Sequence, residues 1–328
     1  MSILFDDTYR VFTLHTKNTT YQMQLAETGH LLHLYYGARA EERFDYLYRQ
    51  RDCGFSPNPH ELHERREWSL DTLPQEYSGS NGGDYRLSAV LPVADSGAVG
   101  ADLRYVSHER LPGKYELTGL PAAFAREGEA ETLQIALADA ATGLRVTLLY
   151  GVYEDRDVIT RAARLENAGG RPLRLEKAAS LCLDLPFGDW DLLHFHGRHC
   201  MERQPERTPL SAGIQTVGSK RGMSSHHHNP FAVLCERDAG EEQGACYGVM
   251  PVYSGSFRTD AERDQMGSVR LVTGIQDEGF SWTLAPGETF DAPEVLLSFS
   301  EAGLGRLRHL LRRDSGPDAE PALRPLRL

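Results

Sequence analysis

Along most of the chain, apolar and polar residues alternate at every second position. That is the period of a β-strand with one face in a core. In "LRVTLLY", Leu144, Val146, Leu148 and Tyr150 fall on one face. "VITRAARLENAGGRPLRLEKAASLCLDL" reads as two strands joined by a turn at Asn167-Ala168-Gly169-Gly170. In the second of these, Leu181, Leu183 and Leu185 share a face while Cys182 and Asp184 point the other way. "ACYGVMPVYSGSF", "SVRLVTGI" and "FSWTLAPGETFDAPEVLLSF" continue the pattern, the last with a turn signal at Pro286-Gly287. Turns recur throughout and strands do not alternate with helices, so the pattern predicts an antiparallel all-β fold. So many strands require two large sheets packed face to face, a large antiparallel β-supersandwich. Its rim loops are where binding residues belong.

Two stretches depart from that period. "LPAAFAREGEAETL" is interrupted by glycine and reads as a loop leading into a strand. "EAGLGRLRHLLRRD" is helical: Leu304, Leu307 and Leu311 fall on one face and arginines on the other. The tail "SGPDAEPALRPLRL" is proline-rich, without a period, and is expected to be disordered or a linker stub. The division expected is residues 1–300 as the sandwich and 301–328 as helix and stub.

Composition narrows the functional classes. The 328 residues are 40% hydrophobic and 25% charged, an ordinary globular balance. A net charge of −12, with no run of Lys or Arg longer than two residues, predicts repulsion from nucleic acid and from anionic membranes. The five cysteines are widely spaced and contain no CxxC, which favours reduced thiols over a disulfide framework. "MSILFDDTYRVF" carries acids where a signal peptide needs a basic segment, and no apolar run approaches a membrane span. A cytoplasmic protein is the expectation.

Candidate chemistry is sparse. "HFHGRHC" offers His194, His196 and His199, with Glu202 or Cys200 as a fourth metal ligand, against a strand end with surface histidines. "SSHHHNPF" offers His226, His227 and His228, but three consecutive residues on a strand cannot face one site, and Asn-Pro signals a turn. No G-x-S-x-G elbow, phosphate-cradling loop or dinucleotide fingerprint occurs, and no cofactor is implied. Asp260, Glu262 and Asp264 cluster in sequence, as do Asp71, Glu76 and Asp84, but nothing singles out a catalytic pair of carboxylates.

"REWSLDTLPQEYSGSNGGDYR" is more specific. Arg66, Trp68, Asp71, Gln75, Glu76, Tyr77, Asn81 and Asp84 surround a Gly82-Gly83 turn. Carboxylate, guanidinium and amide groups suit the paired hydroxyls of a sugar, and a tryptophan face suits its C–H side. The competing reading is a salt-bridged loop that holds two strands together.

Several segments together resemble glycoside hydrolase family 36, the bacterial and fungal α-galactosidases. They are "GFSPNP", "WSLDTLPQEY", "GDYR", "KRGMSSHHHNPF", "YSGSF", "DQMG" and "FSWTLAPGETFDAPEVLLSFSEAGL". Their order and spread match nearly the whole chain to that family's N-terminal domain, a β-supersandwich. The resemblance implies that a (β/α)8 barrel follows in the full enzyme and carries both catalytic aspartates, so no catalytic residue is expected here. It also implies a tetramer in which a loop of this domain lends an aspartate and an arginine to a neighbour's galactoside pocket. By motif these are Asp52 and Arg66, although "HELHERRE" leaves Arg65 as an alternative to Arg66. Trp68 stands where the family often has phenylalanine; its use as a sugar platform is read from the residue itself. "SSHHHNPF" and "DQMG" are expected to be fold-defining turns.

The expected partners are therefore α-galactosides and further copies of the chain, with no metal. The competing expectation is a stand-alone carbohydrate-binding or assembly module from a truncated gene. An aldose epimerase of galactose-mutarotase-like architecture is a further one, with His194, His196 or His199 as proton donor.

Overall fold

A computed structural model describes residues 2–312, apart from 49, 53, 55, 56 and 187. The tail expected to be a linker stub, from 313 onward, lies outside the described residues, as does Cys53. In chain order the strands are β1 (Ile3–Asp6), β2 (Val11–His15), β3 (Thr19–Leu25), β4 (Leu31–Ala38), β5 (Val90–Ala94), β6 (Arg104–Pro112), β7 (Glu131–Ala138), β8 (Leu144–Tyr153), β9 (Val158–Asn167) and β10 (Leu173–Leu185). They continue with β11 (Trp190–Arg198), β12 (Met201–Pro209), β13 (Gly213–Gly218), β14 (His228–Glu236), β15 (Cys246–Pro251), β16 (Phe257–Arg263), β17 (Val269–Ile275), β18 (Trp282–Leu284), β19 (Thr289–Asp291) and β20 (Val295–Ser300). One helix, α1 (Gly303–Arg312), closes the described chain.

Every strand pairing is antiparallel, as the alternating pattern predicts. A ten-stranded sheet runs β12-β11-β14-β15-β20-β9-β8-β7-β6, with β19 beside β9. Facing it are a four-stranded sheet in the order β1 to β4 and a six-stranded sheet, β13-β16-β17-β10-β18, with β5 beside β10. The inward residues of all three sheets meet in one core. Phe12 and Leu14, Leu181 and Leu271, Leu148 and Leu297 are each fully buried within it. Burial of this much apolar surface is the main drive for the fold.

The turn at 167–170 is not a hairpin, although the two strands around it are where the pattern puts them. β9 belongs to the ten-stranded sheet and β10 to the six-stranded one, so the turn carries the chain across the sandwich. The Pro286-Gly287 turn repeats the crossing: β18 pairs with β10, and β19 pairs with β9. Asn167 holds both corners from a fully buried position. Its Nδ2 donates to Leu284 O at 2.9 Å and Arg171 O at 2.8 Å, and its O accepts from Gly287 N at 2.8 Å.

The helix lies on the outer face of the ten-stranded sheet. Leu307 is 1% exposed and packs with Val233, Cys235 and Cys246. A Cβ on Gly248 would sit 3.2 Å from Leu307, so this glycine sets how closely helix and sheet approach. Leu310 is also buried, and Leu304 is half-buried. Among the described residues no helix is long and apolar enough to cross a membrane.

One edge of the ten-stranded sheet is open. Among the described residues β12 pairs only with β11, is exposed along most of its length, and carries Pro205, Pro209 and four charged side chains. Arg207 ties it down by donating to the carbonyls of Ala239, Glu236 and Arg237 and to Asp191.

Between β4 and β5 the chain makes a long connection with a single 3-10 turn, His60–Leu62. Residues 74–76 run along the edge of β4: Glu76 N donates to Leu31 O and His33 N to Pro74 O, both at 3.1 Å. On the other side Gln75 N donates to Asp184 of β10 at 2.8 Å. This short segment therefore seams the four- and six-stranded sheets into one layer.

At the seam Glu76 points into the core and is fully buried. It accepts from Tyr21 Oη at 2.6 Å, Tyr150 Oη at 2.8 Å and Arg161 Nη1 at 2.5 Å, and lies 3.2 Å from His33 Nδ1. Burial alone would raise its pKa, but Arg161 and the hydrogen bonds from its neighbours lower it, so it stays ionised. Arg161 also lies over the Tyr150 ring at 4.3 Å. Glu76→Gln leaves a buried guanidinium without its counter-charge. We expect it to cost about 3–5 kcal/mol, read as a fall in the urea midpoint. A Glu76→Gln chain as stable as the parent would show that the seam does not depend on this charge.

Candidate functional site

The candidate site occupies the connection between β4 and β5, which the structure divides into a buried half and an exposed half. In the buried half Trp68, Asp71, Gln75, Glu76, Tyr77 and Asp84 are all buried. These side chains follow the competing reading of a salt-bridged loop and not that of a sugar surface.

Opposite Glu76, on the outer side of the seam, Asp84 and Asp184 meet Arg86 and Arg270. Arg270 holds Asp184 through two bonds of 2.7 Å and Asp84 through one of 2.7 Å. Arg86 Nε donates to Asp84 at 2.9 Å, while its Nη2 reaches Leu70 O at 2.6 Å and Leu73 O at 2.8 Å. Ser78 Oγ and Gln75 Nε2 also donate to Asp84. Asp264 adds a third buried carboxylate, 3.8 Å from Arg86 Nη1, and the backbone of the connection is held at several points. Burial would raise the Asp84 pKa, but Arg270 and Arg86 outweigh it and hold the carboxyl at about 2.

Trp68 is 2% exposed and packs with Ala26, Leu32, Leu70 and Leu73. Its indole presents no face to a ligand arriving from solvent; it anchors the connection to β4. The sequence signal that would have shown this is the apolar spacing of Trp68, Leu70 and Leu73. Among the described residues of this connection, the exposed aromatic faces are Tyr46 and Tyr85, 69% and 74% exposed. Tyr85 stands inside "GDYR", between two charged residues that dominate the motif.

The exposed half contains Asp52 and Arg66. The structure brings them together: Arg66 Nε lies 3.4 Å from Asp52 Oδ2, with the two side chains 64% and 49% exposed. Arg66 Nη2 donates to Gly54 O at 3.1 Å, and Gly54 N donates to Asp52 Oδ1 at 2.7 Å. Arg65 turns away to Glu27, Gln50 and Glu67. Of the two arginines, Arg66 is therefore the one paired with Asp52. Pro57 is backed by the glycine turn. Gly83 has φ +95°, and a Cβ there would lie 2.6 Å from Pro57.

The other candidates have structural partners. Asp260 binds Arg258 and Thr216, Glu262 accepts from Leu87 N, and Asp264 caps the turn at Met266 and Ser268. His194 and His196 share a strand face, as their spacing predicts. Their neighbours are Glu206 of β12 and His228 of β14, while His199 and Cys200 turn out into solvent. Among the described residues no three His, Cys, Asp or Glu groups are placed to hold a metal ion.

Comparison with known proteins gives a consistent result. The family model for the glycosyl hydrolase family 36 N-terminal domain matches residues 29–285. A bifunctional alpha-galactosidase/sucrose kinase, AgaSK, from Mediterraneibacter gnavus is 49% identical over 94% of this chain and 33% of its own length. Alpha-galactosidase AgaA from Geobacillus stearothermophilus is 43% identical over 93% of this chain and 42% of its own. The solved galactosidase domain of AgaSK superposes with a TM-score of 0.92, at 48% identity over 94% of this chain and 43% of that one. An AgaA variant solved with raffinose gives 0.86, at 43% identity over 89% and 41% of the two chains. The chain thus spans between a third and just over two-fifths of these relatives.

The Asp84 cluster predicts an acid-sensitive fold. A carboxyl whose pKa is depressed by folding contributes stability above its unfolded pKa, and that contribution drains as pH falls through the folded value. For Asp84 the loss falls between about pH 4 and pH 2. Melting temperatures of the parent and of Asp84→Asn, followed across that range, should converge toward acid. Parallel curves would exclude Asp84 as a source of the acid sensitivity.

Proposed function

Because the chain belongs to glycosyl hydrolase family 36, through that family's N-terminal domain, we propose that it is the sugar-recognition and assembly domain of a retaining α-galactosidase. In this reading it lends Asp52 and Arg66 to a galactoside pocket. The observation that carries it is the Asp52–Arg66 pair, exposed at the tip of a connection whose other half is fixed by buried ion pairs. An exposed ion pair of this kind contributes little to stability. Its value lies in two charged groups, already oriented, that can exchange their mutual contact for sugar hydroxyls.

The catalytic carboxylates of the reaction belong to a barrel domain. One attacks the anomeric carbon and the other protonates the leaving oxygen. Asp52 and Arg66 hold the galactose hydroxyls, so that binding energy positions the glycosidic bond for attack. Exposed Tyr85 is the better candidate for stacking on the sugar than buried Trp68. The complexes of AgaA with raffinose and stachyose support galactosides of that class as substrates. Assembly is proposed as a homotetramer, in which the loop serves a neighbouring subunit's pocket. A cytoplasmic location is supported by Cys235 and Cys246, which face each other across β14 and β15 as free thiols.

The chain by itself should release no nitrophenol from a chromogenic α-galactoside, while a product that also carries the barrel should do so. In that longer product Arg66→Ala should lower kcat/KM about tenfold or more, mainly through KM. Turnover by this chain alone, or an Arg66→Ala enzyme with parental KM, would overturn the assignment.

A further inference from the structure

Far along the chain from that pair, the loop between β13 and β14 borders an open surface hollow of about 490 Å³. Its wall is made by Arg221, Met223, Ser224, Ser225, His226, His227, Asn229 and Pro230, the greater part of "KRGMSSHHHNPF". The volume falls in the range of small-ligand sites. The loop is held in place from both sides. Gly222 N donates to Ser256 Oγ at 2.9 Å and Ser224 N to Ser254 O at 2.8 Å. Ser219 Oγ donates to Met223 O at 2.6 Å, and Gly197 N of β11 donates to His227 O at 3.2 Å. A turn that serves only to connect two strands needs no such hollow.

The charge of the wall points to its ligand. It contains one arginine, two histidines, two serines and an asparagine, and no carboxylate, in a protein of net charge −12. The Arg221 guanidinium has no ion pair among the described residues, whereas its neighbour Lys220 is paired with Glu278. His227 Nδ1 and Asn229 Oδ1 are buried and have no hydrogen-bond partner there. A site for neutral sugar needs acceptors for hydroxyl protons, most often carboxylates. Apart from the Asn229 carbonyl oxygen, which an amide flip would replace with the donor Nδ2, this wall offers donors and one unpaired cation, a set suited to an oxyanion.

We propose that the Arg221–Pro230 loop binds a tetrahedral oxyanion, the phosphate group of free phosphate or of a hexose phosphate. Arg221 supplies the fixed charge, the serine hydroxyls and imidazoles donate hydrogen bonds, and Met223 and Pro230 give apolar contact for a sugar ring. The local field agrees: desolvation, then Arg221 and His226, lower the His227 pKa, and no acid opposes them. The groups around His227 are Arg221, His226 and His228 of its own segment, and His196 of β11 lies against His228. Glu206 of β12 lies on the side of His228 and His196. An entering anion favours protonation of His227, so binding and proton uptake are coupled.

Titration calorimetry of the purified chain at constant ionic strength tests this, with sulfate, inorganic phosphate, glucose 6-phosphate and uncharged glucose. Sulfate keeps its charge, and its affinity should rise as pH falls from about 7.5 to 5.5. Arg221 is exposed, so Arg221→Ala should leave the melting temperature unchanged while weakening sulfate and phosphate about tenfold or more. Glucose 6-phosphate binding more tightly than phosphate identifies a hexose phosphate, and equal affinities identify the free ion. No heat from either sulfate or phosphate, parental affinity in Arg221→Ala, or glucose binding as well as its phosphate would overturn the site. The galactoside reading above stands or falls separately, because none of these ligands tests Asp52 or Arg66.

Discussion

A carboxylate in the middle of an apolar sandwich is stable only when its charge is answered on the spot. Glu76 meets that demand with Arg161, two tyrosine hydroxyls and a histidine. Desolvating either charge costs several kcal/mol on its own, so the pair persists only as a complete set. The consequence is geometric. Glu76 belongs to the segment that joins the four- and six-stranded sheets, and its partners come from β3, β4, β8 and β9. Fixing that one side chain aligns both layers with the connection that runs over them. The outer cluster around Asp84 then locks the other face of the same segment. The exposed Asp52–Arg66 tip stands out from a base held on both sides.

Much of the fold was legible because strand periodicity reports burial directly. β8, β10, β17 and α1 lie where the alternation puts them. Connectivity was less legible. A short Gly-rich turn between two strands has the same composition whether the strands pair or part, and only the hydrogen bonds of Asn167 separate the two cases at 167–170. Cys182 and Asp184 do point away from the leucines, but alternation alone does not report that this second face is covered too, by the connection over β10.

The site was partly legible for a related reason. Charged residues that bind ligands and charged residues that neutralise one another inside a protein use the same letters. In "REWSLDTLPQEYSGSNGGDYR" the two kinds are interleaved. Asp71, Gln75, Glu76 and Asp84 are buried, and Arg66 and Asn81 are not. The apolar residues between them carried the distinction, since Trp68, Leu70 and Leu73 mark the part that turns inward. The pairing of Asp52 with Arg66 came from motif resemblance and had no signature of its own in composition or period.

β12 has a consequence for how this protein meets copies of itself. A bare strand edge offers unsatisfied amides to any passing strand, and two such edges can join without limit into a ribbon. Pro205 and Pro209 remove two of those amides, and the alternating Glu202, Arg203, Glu206 and Arg207 make an intruding strand face mixed charge. The open margin of the sandwich is thereby made a poor seed for fibres.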